Sequence, residues 1–160
     1  VCSGVVASSG SIYSNSDGKN PFKYRGIENL WGNVFQFVDG ININNNQAWI
    51  ARNPADYASN LFTNPYQQLS YVNHTANGYI SQMGFDSVNP EFQLPTSITG
   101  GAYNKYYADY YYQSTGQRVA RLGGDWHAGS GAGLSCWDLG SASGASYVAV
   151  GGRLVKKALE

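Results

Sequence analysis

The sequence predicts an α+β or mainly β domain of antiparallel strands with long loops and little helix, and three observations carry that expectation. Apolar residues come in short alternating runs, as in Val34, Phe35, Phe37 and Val38 and again in Ile41 and Ile43. Pro54, Pro65, Pro90 and Pro95 punctuate the middle of the chain, which leaves a long helix no room. The 20 glycines among 160 residues supply turns throughout.

Residues 1–23 are rich in Ser, Gly and Asn and read as a polar lead-in to one domain over 24–158. Residues 33–38 are expected as a strand, with Asp39-Gly40 as its hairpin exit. Ile41 and Ile43 alternate with Asn42 and Asn44 as the returning strand, which ends in an Asn44, Asn45, Asn46 loop, and 48–51 continue the ladder. Tyr103, Tyr106, Tyr107, Tyr110 and Tyr111 fall at helical spacing, but Gly100-Gly101 and Gly116 bracket them and tyrosine is a mediocre helix former. A loop leading into a strand is therefore preferred there. Residues 118–122 read as a strand, Gly123-Gly124 as a close turn or bulge, and 147–155 as a closing strand broken at Gly151-Gly152. Between them, 127–146 is almost entirely small and polar, interrupted by Leu134, Cys136, Trp137 and Leu139, and reads as a loop.

Ten Lys plus Arg balance ten Asp plus Glu, and charged residues make up only 12% of the chain. A neutral chain carries no electrostatic footprint for nucleic acid or acidic lipid. No apolar stretch approaches the ~20 residues of a membrane helix, so no membrane insertion is expected. Aromatic content of 14% supplies ample surface to bury, which argues against disorder. Tyr, Ser, Gly and Asn are also the residues of adaptable binding surfaces. The chain opens at Val1 and its one methionine is Met83, so it is expected to be part of a longer polypeptide, while Leu159-Glu160 reads as a cloning scar. Cys2 and Cys136 lack the spacing of a zinc site or redox pair. Two free thiols are expected, with a Cys2 to Cys136 disulfide as the alternative, and neither a cofactor nor a metal is implied.

Two segments then combine. LWGNVFQFV, residues 30–38, resembles the GNVWEW strand of the formylglycine-generating enzyme family. RLGGDWHAGSGAGLSCW, residues 121–137, followed by GGRLV at 151–155, is similar to that family's closing RGGSW and GFR motifs. The closer likeness is to the variable ligand-binding domains of phage and prophage tail proteins, which include targets of diversity-generating retroelements. Gly123, Gly124 and Trp126, then Gly129, Ala132 and Gly133, then Gly151, Arg153 and Leu154 stand where those proteins bound their variable region. The resemblance implies a C-type-lectin-like fold in which the paired glycines turn the backbone, Trp126 offers its ring to the core and Arg153 holds loop carbonyls. Gly152 departs from the pattern, where Phe is frequent, and so does Asp125, where Ser is common.

The resemblance further implies a receptor-binding domain of a phage or prophage tail, on the virion or outside the cell, whose partners are a host cell-surface protein or glycan and the upstream part of the same tail protein. Such fibres are often homotrimers, and an excised module without a trimerisation stem is compatible with a monomer. Candidate ligand contacts are Tyr107, Tyr111, Asp125, His127, Ser130, Trp137, Asp138, Ser141, Ser146 and Tyr147. For each ring, core packing is the alternative to stacking on a ligand. The enzymatic branch of the family uses paired cysteines, whereas Cys136 stands alone in this region, so no catalytic activity is carried over. The EPN, QPD and WND motifs of calcium-dependent sugar binding do not occur; Trp137-Asp138-Leu139 breaks at its third position. A catalytic member of the same fold and a purely structural virion decoration domain are the competing readings.

Overall fold

The computed structural model describes residues 30–152 together with the strand residues 23–24 and 27–28. The remainder of the lead-in, Cys2, Arg153, Leu154 and the Leu159-Glu160 end lie outside the described residues. Lys23–Tyr24 (β1) and Ile27–Glu28 (β2) pair antiparallel. Phe35–Asn44 (β3) and Gln47–Ile50 (β4) form a hairpin that Gln67–Val72 (β5) extends. Gly78–Tyr79 (β6), Gln82–Met83 (β7) and Pro95–Ser97 (β8) are short, and β7 pairs with β8. Tyr110–Gln113 (β9), Gln117–Gly123 (β10), Gly133–Ser141 (β11) and Val150–Gly151 (β12) complete the set. The main sheet has the order β5-β4-β3-β10-β11-β9-β6, with β12 on β3. Gln36 pairs with Leu122 of β10 and with Gly151 of β12, so β12 occupies the edge of β3 that β4 takes over from Ile41 onward.

Antiparallel pairing dominates, with two exceptions, β9 with β11 and β3 with β12. The first follows from connectivity: β9 and β10 run in opposite senses, joined by the short 114–116 turn, and β11 lies between them. A strand so placed is antiparallel to one neighbour and parallel to the other. Helix among the described residues is limited to two single 3-10 turns, Pro54–Asp56 and Gly129–Gly131, so the expected α component gives way to a mainly β domain. No helix of the described residues is long and apolar enough to cross a membrane.

The expected hairpin at Asp39-Gly40 is instead a bulge within one strand. Val119 pairs with Asn42 but its neighbour Ala120 pairs with Val38, so 39–41 are extra residues on the β3 side. Gly40 makes this possible at φ +80, where a Cβ would stand 2.6 Å from the Ala51 carbonyl oxygen and 2.7 Å from the Tyr57 ring. The true reversal comes at Asn45-Asn46, with φ of 47 and 69, a left-handed pair that asparagine tolerates. Gln47–Ile50 is therefore the returning strand, and Ile41 and Ile43 belong to the outgoing one. The segment 103–112 is a loop feeding a strand, as its glycines and tyrosines predict. Strand β10 matches its expected span to within a residue at each end; of the expected closing strand, 147–149 turn, Val150–Gly151 pair, and 153–155 lie outside the described residues.

Ile41, Ile43, Ala48, Ile50, Leu69, Ile80, Leu94, Tyr111, Ala120 and Leu139 form the core cluster. Each buried Ile or Leu there contributes about 2 kcal/mol of transfer free energy. Asn42 is buried beside them and its Nδ2 donates to the carbonyls of Ala58 and Leu61 at 2.7 and 3.1 Å, which ties the 58–61 loop to the bulge.

Candidate functional site

The side-chain parity of β9, β10 and β11 builds the site. Leu122, Trp137 and Tyr111 stand in one cross-strand row, in which Tyr111 is fully buried and Trp137 packs against the core. The next row, Arg121, Asp138 and Tyr112, takes the opposite face of the sheet. There Arg121, Asp138, Ser141, Tyr112 and Phe35 combine with Asp125 and Tyr147 around an open trough of about 470 Å³. Tyr147 comes from the loop that feeds β12, on the β3 side, and Tyr112 from β9 beyond β11.

Arg121 Nη2 donates to Asp138 Oδ2 at 2.5 Å, and Asp138 Oδ1 accepts the Gly140 N–H at 2.7 Å. The guanidinium lies over the Phe35 ring at 4.8 Å and beneath the reach of Tyr147 at 5.9 Å. Arg121 Nε is buried without a hydrogen-bond partner. At the rim, Asp125 Oδ1 accepts the His127 N–H at 3.0 Å and Oδ2 lies 3.9 Å from His127 Nδ1. Trp126 Nε1 donates to His127 Nε2 at 3.0 Å, which leaves the imidazole proton on the Asp125 side.

Burial sets the ionisation of the surrounding groups. It pushes the Tyr112 phenol up, with the carboxylates of Asp138 and Asp125 adding to the effect. It also pushes the Cys136 thiol far above its ordinary value, so this free cysteine is held neutral beneath the face. Asp109 is raised by burial, against a backbone hydrogen bond from Ser135 that pulls it down; its Oδ2 accepts that N–H at 2.6 Å. The carboxylate rests where a Cβ on Gly133 would stand, which explains a glycine at the first position of β11.

The structure thus brings Asp125, Asp138, Ser141 and Tyr147 together at one trough, with His127 attached through Asp125. Tyr111 and Trp137 face the core instead; Tyr111 is raised by burial and its hydroxyl donates to the His74 carbonyl at 2.9 Å. Ser130 lies apart, its Oγ 3.3 Å from the Tyr79 hydroxyl, while Tyr107 and Ser146 are exposed outside the trough lining. The expected 127–146 loop is corrected to a central strand over Gly133–Ser141, because Cys136 and Asp138 alternate with Trp137 and Leu139 and both sets find burial, while a bulge opposite Val119–Arg121 brings Ser141 onto the Asp138 face. Trp126 is corrected as well: left-handed turns at Gly123 and Gly124 swing it outward, and its ring packs on His127 at 5.1 Å, 45% exposed.

Phe35, Arg121 and Tyr112 belong to the trough, and of these Phe35 and Arg121 were not among the sequence candidates. Their signal was a charged residue inside an apolar strand, between Ala120 and Leu122, and a strand parity that only the pairing of β9 with β11 fixes. A second cavity of about 480 Å³ lies at the β3 bulge, between Phe37, Asp39, Tyr57 and Tyr66. Among the described residues no three His, Cys, Asp or Glu side chains come together in an arrangement that would hold a metal ion. Comparison of the chain with protein-family models, with curated proteins and with solved structures returns no match.

Proposed function

We propose that this chain is the ligand-binding domain of a phage or prophage tail protein, with a C-type-lectin-like frame that presents the Arg121–Asp138 face to a host cell-surface protein or glycan. The observation that carries the reading is convergence: Asp125, Asp138, Ser141 and Tyr147 line one open trough. The left-handed Gly123 and Gly124 and the β12 contact with β3 support the fold resemblance, because they occur where the closing motifs require a turn and a returning strand. In this reading the domain works on the virion, carried by the upstream part of the same tail protein and assembled as a homotrimer. It acts by binding rather than by catalysis, a view supported by the sealed, neutral Cys136.

The test is adsorption of the fluorescently labelled domain to a panel of bacterial cells and envelope fractions, as wild type and as Tyr147→Ala. Wild type is expected to bind at least one of them and the variant to bind about tenfold more weakly. Failure of the folded, oligomeric protein to bind any of them overturns the reading in favour of a structural decoration domain. Turnover of an envelope substrate overturns it in favour of an enzyme.

A further inference from the structure

We infer that the trough takes an uncharged saccharide, stacked on Tyr147 and Tyr112 and hydrogen-bonded to the polar floor between them. This rests on the binding-domain reading and narrows it to one ligand chemistry. Three observations carry it.

The first is charge. The trough holds one arginine and two aspartates, Arg121, Asp125 and Asp138, and Arg121 is already committed to Asp138. The formal balance of +1 and −2 leaves a net negative site, which disfavours uronate, sialate or phosphate-bearing ligands. No long-range field from this neutral chain offsets that.

The second is the pairing of rings with planar polar groups. Tyr147 is 60% exposed and Tyr112 is 37% exposed, at opposite sides of a floor that holds carboxylates, a guanidinium and the Ser141 hydroxyl. Amphipathic rings offer flat apolar faces at low entropic cost, and the C–H face of a pyranose is a flat apolar partner. Fixed carboxylates accept from vicinal hydroxyls, which are donors and acceptors in one group. A protein partner would instead call for a deeply desolvated apolar anchor pocket, and this trough is shallow and half polar.

The third is extension. From Tyr112, which lines the trough, ring contacts run on through Tyr110 at 4.6 Å and Tyr79 at 5.1 Å to the exposed Tyr103 at 6.5 Å. The floor itself spans the three strand intervals from β3 to β9, about 14 Å at the usual inter-strand spacing. That is a platform for several linked sugar units rather than for one small molecule.

The experiment is binding of the folded domain to a printed array of neutral and acidic oligosaccharides, in the presence of a metal chelator, with Tyr147→Ala, Tyr112→Ala and Tyr103→Ala beside wild type. The array includes gluco-, galacto-, manno- and N-acetylhexosamine oligomers and their uronate counterparts. Wild type is expected to retain neutral oligomers and to bind them better as chain length increases. Tyr147→Ala and Tyr112→Ala should each lose about tenfold, and Tyr103→Ala should weaken the longer oligomers alone. Retention of acidic oligomers only, or binding that is indifferent to both trough tyrosines, overturns the proposal. So does a domain that adsorbs to cells through a protein and retains no neutral oligomer; that outcome leaves the binding-domain reading standing, whereas absence of adsorption to cells removes both.

Discussion

Arg121 and Asp138 face each other across β10 and β11 with Nη2 2.5 Å from Oδ2, and their side chains are only 10% and 11% exposed. A pair this deep is held in place by mutual need: either charge alone in that position would lack compensation. Asp138→Ala is expected to cost about 3–5 kcal/mol of stability, because the guanidinium stays buried without its partner. The double variant Arg121→Met with Asp138→Leu should recover most of that loss. Urea denaturation midpoints of the three proteins measure it, and recovery distinguishes a pair that positions the trough from one that drives folding.

Tyr111 and Tyr112 are neighbours in sequence with opposite fates, fully buried and exposed respectively. Tyr111→Ala should destabilise by about 3–5 kcal/mol, as loss of a core ring does. Tyr112→Ala should change stability by about 1 kcal/mol or less, a surface substitution, while weakening ligand binding. Thermal unfolding of each variant, set beside its binding, checks the parity. If β9 were shifted by one residue, the two effects would be exchanged.

Gly133 leaves the space that the Asp109 carboxylate fills. Gly133→Ala is expected to cost about 1–3 kcal/mol by pushing Asp109 off the Ser135 N–H. In an Asp109→Ala background the same change should cost far less, and a double-mutant cycle by calorimetry reads the coupling directly.

Asp86 is expected to contribute to acid stability. Backbone N–H groups of Ser70, Asn89 and Val88 donate to its carboxylate and lower its pKa from 3.8 to about 2. A carboxylate with a folded-state pKa below its unfolded value binds fewer protons when native. Its stabilisation is therefore complete above the unfolded value and is lost as pH falls toward about 2. Asp86→Asn should lower the melting temperature at pH 6 and flatten its decline between roughly pH 4 and 2. Parallel acid limbs for wild type and variant would contradict this.

Sheet content, the absence of long helices among the described residues and the position of β10 were legible in the sequence because alternation and proline placement are local signals. The β3 bulge was not, since Asp39-Gly40 is an equally good hairpin turn until Ala120 pairs with Val38 across the sheet. Strand β11 was hidden by its composition: Ser135, Cys136, Asp138, Gly140 and Ser141 look like loop residues, and they become strand residues because β10 and β9 pair with both edges of this central strand. Asp125, Asp138, Ser141 and Tyr147 were readable as a group because they fall within one segment. Arg121 and Phe35 enter only through non-local pairing, and Tyr111 was misplaced for Tyr112 because parity is invisible in a run of three tyrosines.

The decisive measurement is hydrogen exchange of the domain with and without a cell-envelope fraction of the kind that the proposed binding function calls for. Added protection is expected in 110–114, 121–127 and 138–150, the segments that form the trough and its rim, with little change elsewhere. Protection confined to 37–42 and 57–66, around the cavity at the β3 bulge, would contradict it and move the binding face to the other site.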